Sequence, residues 1–237
     1  MQSANRNLWL ILSCLAALGA CTLPPPAPVR DVVTSASTPS IRPSVQRGTV
    51  YRIDGEASTL HILVYRGGTL AKLGHNHVIS SRSVNGRIWR DTAVENSGFV
   101  INIPVNTLIV DDSDARSTEG GDFPLNVRED DKQSTKTNML RETLLDGARY
   151  PDISIQSVSL QGEVDAPLIT AAMRIKDQTR QITVPVTLLS VNGSLHVKGE
   201  FEVKQSDFGI TPLSVAMGAL LVLDTIRIKF ELTANPE

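Results

Sequence analysis

The chain is poor in cysteine: two in 237 residues, Cys14 and Cys21, both near the amino terminus. Everything beyond residue 21 therefore lacks disulfides, thiol nucleophiles and thiolate metal ligands, and must hold together by core packing. Aromatic residues make up 4% of the chain, so any core is built mainly of aliphatic side chains. Long apolar runs are missing too. The longest, Leu8 to Ala20, spans 13 residues, where a membrane-crossing helix needs roughly 20. Lysine and arginine (23) nearly balance aspartate and glutamate (25), with no basic cluster, which argues against nucleic acid and anionic lipid surfaces as partners. No Gly-x-Ser-x-Gly elbow, phosphate-binding Gly-Lys-Ser/Thr loop or dinucleotide glycine fingerprint is present. Neither an enzyme nor a bound cofactor is expected.

The first twenty residues read as an export leader, with Arg6 ahead of a short apolar stretch that ends in small residues. Leu18-Gly19-Ala20-Cys21 resembles the lipobox of bacterial lipoproteins. That resemblance implies cleavage before Cys21, acylation of its sulfur and amino group, and stable attachment through more than one acyl chain. Thr22 follows, not the aspartate that holds such proteins at the inner membrane, so the periplasmic face of the outer membrane is expected. Palmitate is the expected label. Residues 22–48 carry Pro24, Pro25, Pro26, Pro28, Pro39 and Pro43 among Ser, Thr and Ala. Such a segment cannot bury enough apolar surface to order itself and reads as a semi-rigid tether.

Residues 49–237 read as one all-β domain. Phe99, Ile101, Ile103 and Val105 share one face of an alternating segment; Ile169, Ala171, Met173 and Ile175 share another. Ile182 to Leu188, Val197 to Val203 and Ile226 to Leu232 repeat the pattern with polar residues between. Each is a strand with one dry and one wet face, as antiparallel sheets show. Asp54-Gly55, Asn96-Ser97-Gly98, Asp165-Ala166-Pro167 and Asn192-Gly193 read as turns, the last a hairpin. One short helix is expected, capped by Ser134 or Thr137, carrying Leu140 and Leu144 on one face and ending at Gly147. A polar loop, Asp111 to Gln133, precedes it and reads as solvated; Asp111-Asp112-Ser113-Asp114 fails the calcium-loop pattern, which needs glycine and glutamate where Ser117 and Phe123 stand.

Several segments, taken in order, resemble the YceI-like family. They are Arg149 to Ile155, Ile175 to Val186 with its Thr179-Arg180 pair, Gln205 to Ile210, and the closing strand Leu220 to Leu232. At the front, Tyr51 to Asp54 and Ser58 to Val64 fit an opening hairpin, and Asn138-Met139-Leu140 with Leu145-Asp146 fits a helix. The resemblance implies an antiparallel, extended lipocalin-like β-barrel of about eight strands, with an apolar tunnel for a polyisoprenoid or isoprenoid quinone. Asp177-Gln178 departs from the glycine expected before the Thr-Arg pair.

The expected ligand-binding lining is Phe99, Ile101, Ile103, Ile182, Val184, Phe201, Ile226 and Ile228, with His75 and His77 as headgroup contacts at the mouth. Alternation alone does not separate a hollow barrel from a solid structural one. His75 and His77, two apart, would project to one side of an extended segment, a spacing that offers two imidazoles to one metal. Two ligands are not a site, so no metal is assigned. His61 or a residue of the acidic loop is the nearest third donor, and a metal-binding protein or metal-assisted enzyme is the alternative reading. The chain is expected to meet the membrane through its lipid anchor alone; a homodimer is compatible with the sequence.

Overall fold

The computed structural model describes residues 48–237. The expected leader, the expected anchor Cys21 and the expected tether up to residue 47 lie outside the described residues. Among the described residues thirteen strands are formed: β1 (Thr49–Val64), β2 (Arg66–Gly67), β3 (His77–Ser81), β4 (Asn85–Arg90), β5 (Gly98–Pro104), β6 (Ile109–Val110), β7 (Asp152–Glu163), β8 (Ala166–Ile175), β9 (Gln178–Val191), β10 (Ser194–Lys204), β11 (Ser214–Val215), β12 (Leu220–Val222) and β13 (Thr225–Pro236). Eight of them, β13-β10-β9-β8-β7-β5-β4-β1, form an antiparallel sheet that closes where β1 pairs with β13. Closure leaves no unpaired edge in the ring.

The barrel forms because the alternation puts one aliphatic row of every long strand inside. Ile169, Ala171, Met173 and Ile175 of β8 are all buried, while neighbouring Leu168 faces solvent. Ile103 of β5 is buried and Val100 exposed. Burying each such side chain contributes about 1.5–3 kcal/mol. Asn192-Gly193 makes the β9–β10 hairpin, both residues with positive φ (50° and 86°), as a two-residue type I′ turn demands.

Three expectations change. The opening hairpin is instead the single 16-residue strand β1, and Asp54-Gly55 is a bulge within it. The register against β13 slips between Asp54 and Thr59; the Asp54 carboxylate accepts the Ala57 N–H (3.1 Å), and the Ser58 hydroxyl, which donates to the Asp54 carbonyl, accepts the Thr233 N–H (3.0 Å). A Cβ on Gly55 would sit 2.7 Å from the carbonyl oxygens of Arg82 and Val84, so backbone approach, and not chain reversal, explains this glycine. Beyond the bulge, β1 exchanges its neighbour: Thr49 to Arg52 pair with β4, Leu60 to Val64 with β3.

The helix, α2 (Glu129–Met139), starts earlier than expected. Glu129, Asp130 and Asp131 fill its first turn, where carboxylates favour the positive end of the helix dipole. Ser134 and Thr137 lie inside it. Leu140 and Leu144 come after it and pack partly buried against the core. The acidic loop is also ordered, with a five-residue helix α1 (Ser113–Ser117) whose start is capped by Asp112 accepting the Ala115 N–H. Ala115 and Phe123 of this loop pack on Leu63, Val78 and Tyr65, forming a second small apolar cluster.

Candidate functional site

Inside the barrel lies a cavity of about 120 Å³. Its wall draws on the inward rows of all eight ring strands and is aliphatic and aromatic, with Arg90 and Ser97 as its hydrophilic side chains. Of the residues expected to line it, Phe99, Ile101, Ile103, Ile182, Val184, Phe201 and Ile228 do so. Ile226 packs partly buried against the core but outside the cavity wall, and His75 and His77 are not part of that wall.

The cavity is displaced toward one end of the barrel. Trp89, Val94, Val164 and Leu188 contribute to it, close to the β4–β5, β7–β8 and β9–β10 connections. Val105, Leu108, Phe208 and Ile210, from the connections at the other end, are buried in the core but line no part of the cavity; they plug that end.

Arg90 is the one charged residue of the cavity wall, and sequence reasoning missed it. It is the last residue of β4, paired with Thr49, and its guanidinium reaches across the rim to Asp165 in the β7–β8 turn and Ser190 of β9. Its Nε–H is buried without a hydrogen-bond acceptor, as is the Nε1–H of neighbouring Trp89. Buried donors normally find acceptors, so two orphans beside one apolar cavity are informative. The signal available in the sequence was a charged residue closing an otherwise apolar stretch, Ile88-Trp89-Arg90.

A polar cluster occupies the opposite end of β1. His77, paired with Val64, places Nδ1 2.7 Å from Asp111 Oδ2, and His75 Nε2 is 3.5 Å from the same oxygen. The two imidazole rings meet edge to face, 4.4 Å between centroids. Asp111 is fully buried, contrary to the solvated reading of its loop. Its φ of 55° lets it accept the Val78 N–H through Oδ1 while that oxygen also takes an N–H from Arg116. Arg116, buried as well, donates further to the carbonyls of Asn76 (2.8 Å) and Pro124 (2.7 Å). Burial raises the Asp111 carboxyl, but the hydrogen bond and charge of His77, the Val78 amide and Arg116 outweigh it and hold the group below the usual carboxylate range. Burial, then the neighbouring His77, pushes His75 below the ordinary imidazole value.

His61 does not join this cluster. Its Nδ1 lies 2.7 Å from Glu119 Oε1, whose other oxygen accepts from Lys229 (2.7 Å). The third group near His75 and His77 is Asp111 of the acidic loop. Nothing in local sequence spacing pairs residue 111 with 75 and 77; the β3–β6 pairing does, by setting Val110 opposite Ile79.

Among curated proteins none matches this chain. Solved structures resemble it at low identity. BcnA of Burkholderia cenocepacia superposes with a TM-score of 0.56 at 16% identity, over 77% of this chain and 99% of that one. A polyisoprenoid binding domain from Saccharophagus degradans, implicated in plant cell wall breakdown, gives 0.52 at 12% identity, over 80% of this chain and 99% of that one. Both likenesses concern the fold. The family model for the YceI-like domain matches residues 51–234, which takes in nearly all of the barrel and places the chain in the YceI-like domain family.

Proposed function

We propose that the protein binds an apolar, chain-like ligand of the polyisoprenoid or isoprenoid quinone type inside the barrel. The observation that carries this reading is the apolar cavity walled by every strand of the ring. The binding named for the Saccharophagus degradans domain supports it. The driving force is burial, about 25 cal/mol per Å² of apolar surface, so a long hydrocarbon needs few polar contacts. At about 120 Å³ the cavity is below the roughly 300 Å³ of typical ligand sites. The chain therefore threads in by displacing rotatable side chains such as Met173, Leu188 and Phe201, which line it. A polar head comes to rest at the Arg90 rim, where the unpaired Arg90 Nε–H and Trp89 Nε1–H offer donors to oxygen. The protein acts as a carrier or binder, not a catalyst.

The lipobox supports attachment at Cys21 to the periplasmic face of the outer membrane. The first strand begins at Thr49, which pairs with Arg90 on the cavity wall. Solvent extraction of the purified protein followed by mass spectrometry tests the binding reading. An isoprenoid near one equivalent is expected. Recovery of no lipid, together with failure of the protein to take up a polyprenyl or quinone probe, overturns it.

A further inference from the structure

We propose that His75, His77 and Asp111 form a binding site for one divalent first-row transition ion of the zinc or ferrous class. The inference concerns the plugged end of the barrel and stands independently of the lipid reading.

One donor atom from each of the three residues lies within 4.8 Å of the others. Ligands at 2.0–2.2 Å around a tetrahedral ion are roughly 3.4 Å apart. The His75 Nε2 to Asp111 Oδ2 separation of 3.5 Å already matches that spacing. The His77 Nδ1 to Asp111 Oδ2 separation of 2.7 Å is that of a hydrogen bond, and must widen by about 0.7 Å to take an ion at that spacing. For ligation through Nδ1 the neutral His77 ring carries its proton on Nε2, so both imidazoles bind as neutral donors beside an ionised carboxylate, the states in which these groups ligate.

An independent observation points the same way. His75 Nε2 is buried and has no hydrogen-bond partner, although it faces the Asp111 carboxylate. A histidine whose purpose was to complete the Asp111 network would be bonded to it. The carboxylate is also held as a ligand should be: Oδ1 is occupied by the Val78 N–H and Arg116, which leaves Oδ2 to the two imidazoles. Such fixing of a ligand by its outer partners is usual in metal sites.

Two imidazoles and one carboxylate select against Ca²⁺ and Mg²⁺, which prefer all-oxygen shells, and against Cu(I), which prefers sulfur. Three protein ligands leave coordination positions for water or an exogenous ligand. The His75 and His77 side chains are 26% and 19% exposed, which gives the ion a way in. Once bound, the ion ties the loop after β6 to the β3 strand start, adding a link that the apolar cluster around Phe123 only partly supplies.

The test strips the purified protein with a chelator and titrates it with Zn²⁺, and with Co²⁺ as a spectroscopic probe. One equivalent is expected to bind, Co²⁺ to show imidazole-type visible absorption, and Zn²⁺ to raise the melting temperature. His75→Gln is the decisive variant, since His75 Nε2 supports no hydrogen bond whose loss would unfold the loop. It should melt like the metal-free wild type, bind Zn²⁺ at least about tenfold more weakly and lose the thermal shift. Asp111→Asn should lose uptake as well. If the wild type takes up no stoichiometric ion, or if His75→Gln binds Zn²⁺ as tightly as wild type, the site does not exist.

Discussion

Arg90 and His77 mark opposite ends of one strand: Arg90 pairs with Thr49, the first residue of β1, and His77 with Val64, the last. The bulge at Asp54 to Thr59 makes this possible by passing β1 from one neighbour to another. The apolar cavity approaches the Arg90 end, and the buried polar cluster closes the other. The two ends can thus be altered separately.

Val184→Trp tests the cavity. Val184 is buried on its wall, and the added ring has the ligand's own space to enter. The variant should lose co-purifying lipid with little change in melting temperature, and Ile228→Trp should do the same. A solid core would instead be overpacked, at a cost of about 1–3 kcal/mol, or roughly 2–4 °C per kcal/mol for a domain of this size. Retention of full lipid occupancy in both variants would show that the ligand lies elsewhere.

Arg90→Leu tests the rim. Loss of the guanidinium removes the donor but keeps an apolar wall, so binding of an isoprenoid with an oxygen-bearing head should weaken about tenfold, ~1.4 kcal/mol. Binding of the matching headless hydrocarbon should hold. Equal loss for both probes would assign Arg90 to barrel closure through Asp165 and Ser190.

Glu119→Gln tests the outer ion pair. Burial raises the Glu119 carboxyl, but Lys229 of β13 and His61 of β1 outweigh it and hold it below its ordinary value of 4.5. The folded-state value being depressed, the ionised group stabilises the fold fully above the unfolded-state value, and that stability disappears as pH falls through the folded one. At neutral pH the variant should be less stable by about 1.5–3 kcal/mol. Denaturation curves of the two proteins should converge as the medium is acidified below pH 4.5. A gap that stays constant across this range would remove Glu119 ionisation from the account.

Cys21→Ser tests the anchor. The barrel contains no cysteine, so the domain should fold as before while palmitate labelling disappears. Persistent incorporation of label in the variant would place the acyl group on another residue.

The inward rows were legible because a strand's side chains alternate with period two, whatever the strand pairs with. Phe99, Ile101 and Ile103, and Ile182 and Val184, could be assigned to one face from the residues alone. The same rule could not tell that Ile226 falls beyond the end of the cavity, since alternation gives the side of a strand and not the depth along the barrel. Asp54-Gly55 misled because a bulge and a turn use the same residue types. The helix was displaced because α2 is polar up to its last residue, Met139, leaving its apolar neighbours Leu140 and Leu144 to imitate a periodic face.

The sequence by itself determined that the domain is all β, which residues face inward, and that its stability comes from aliphatic packing without disulfides, since these depend on residue type and local period. Tertiary structure alone decided that Arg90 stands on the cavity wall beside Asp165, that Asp111 is buried beside His75 and His77, and that His61 belongs to Glu119. These are meetings of residues 34 to 75 positions apart, set by which strand pairs with which and in what register. Local patterning carries no information about that, because hydrogen bonding between strands is indifferent to the identity of the side chains it brings together.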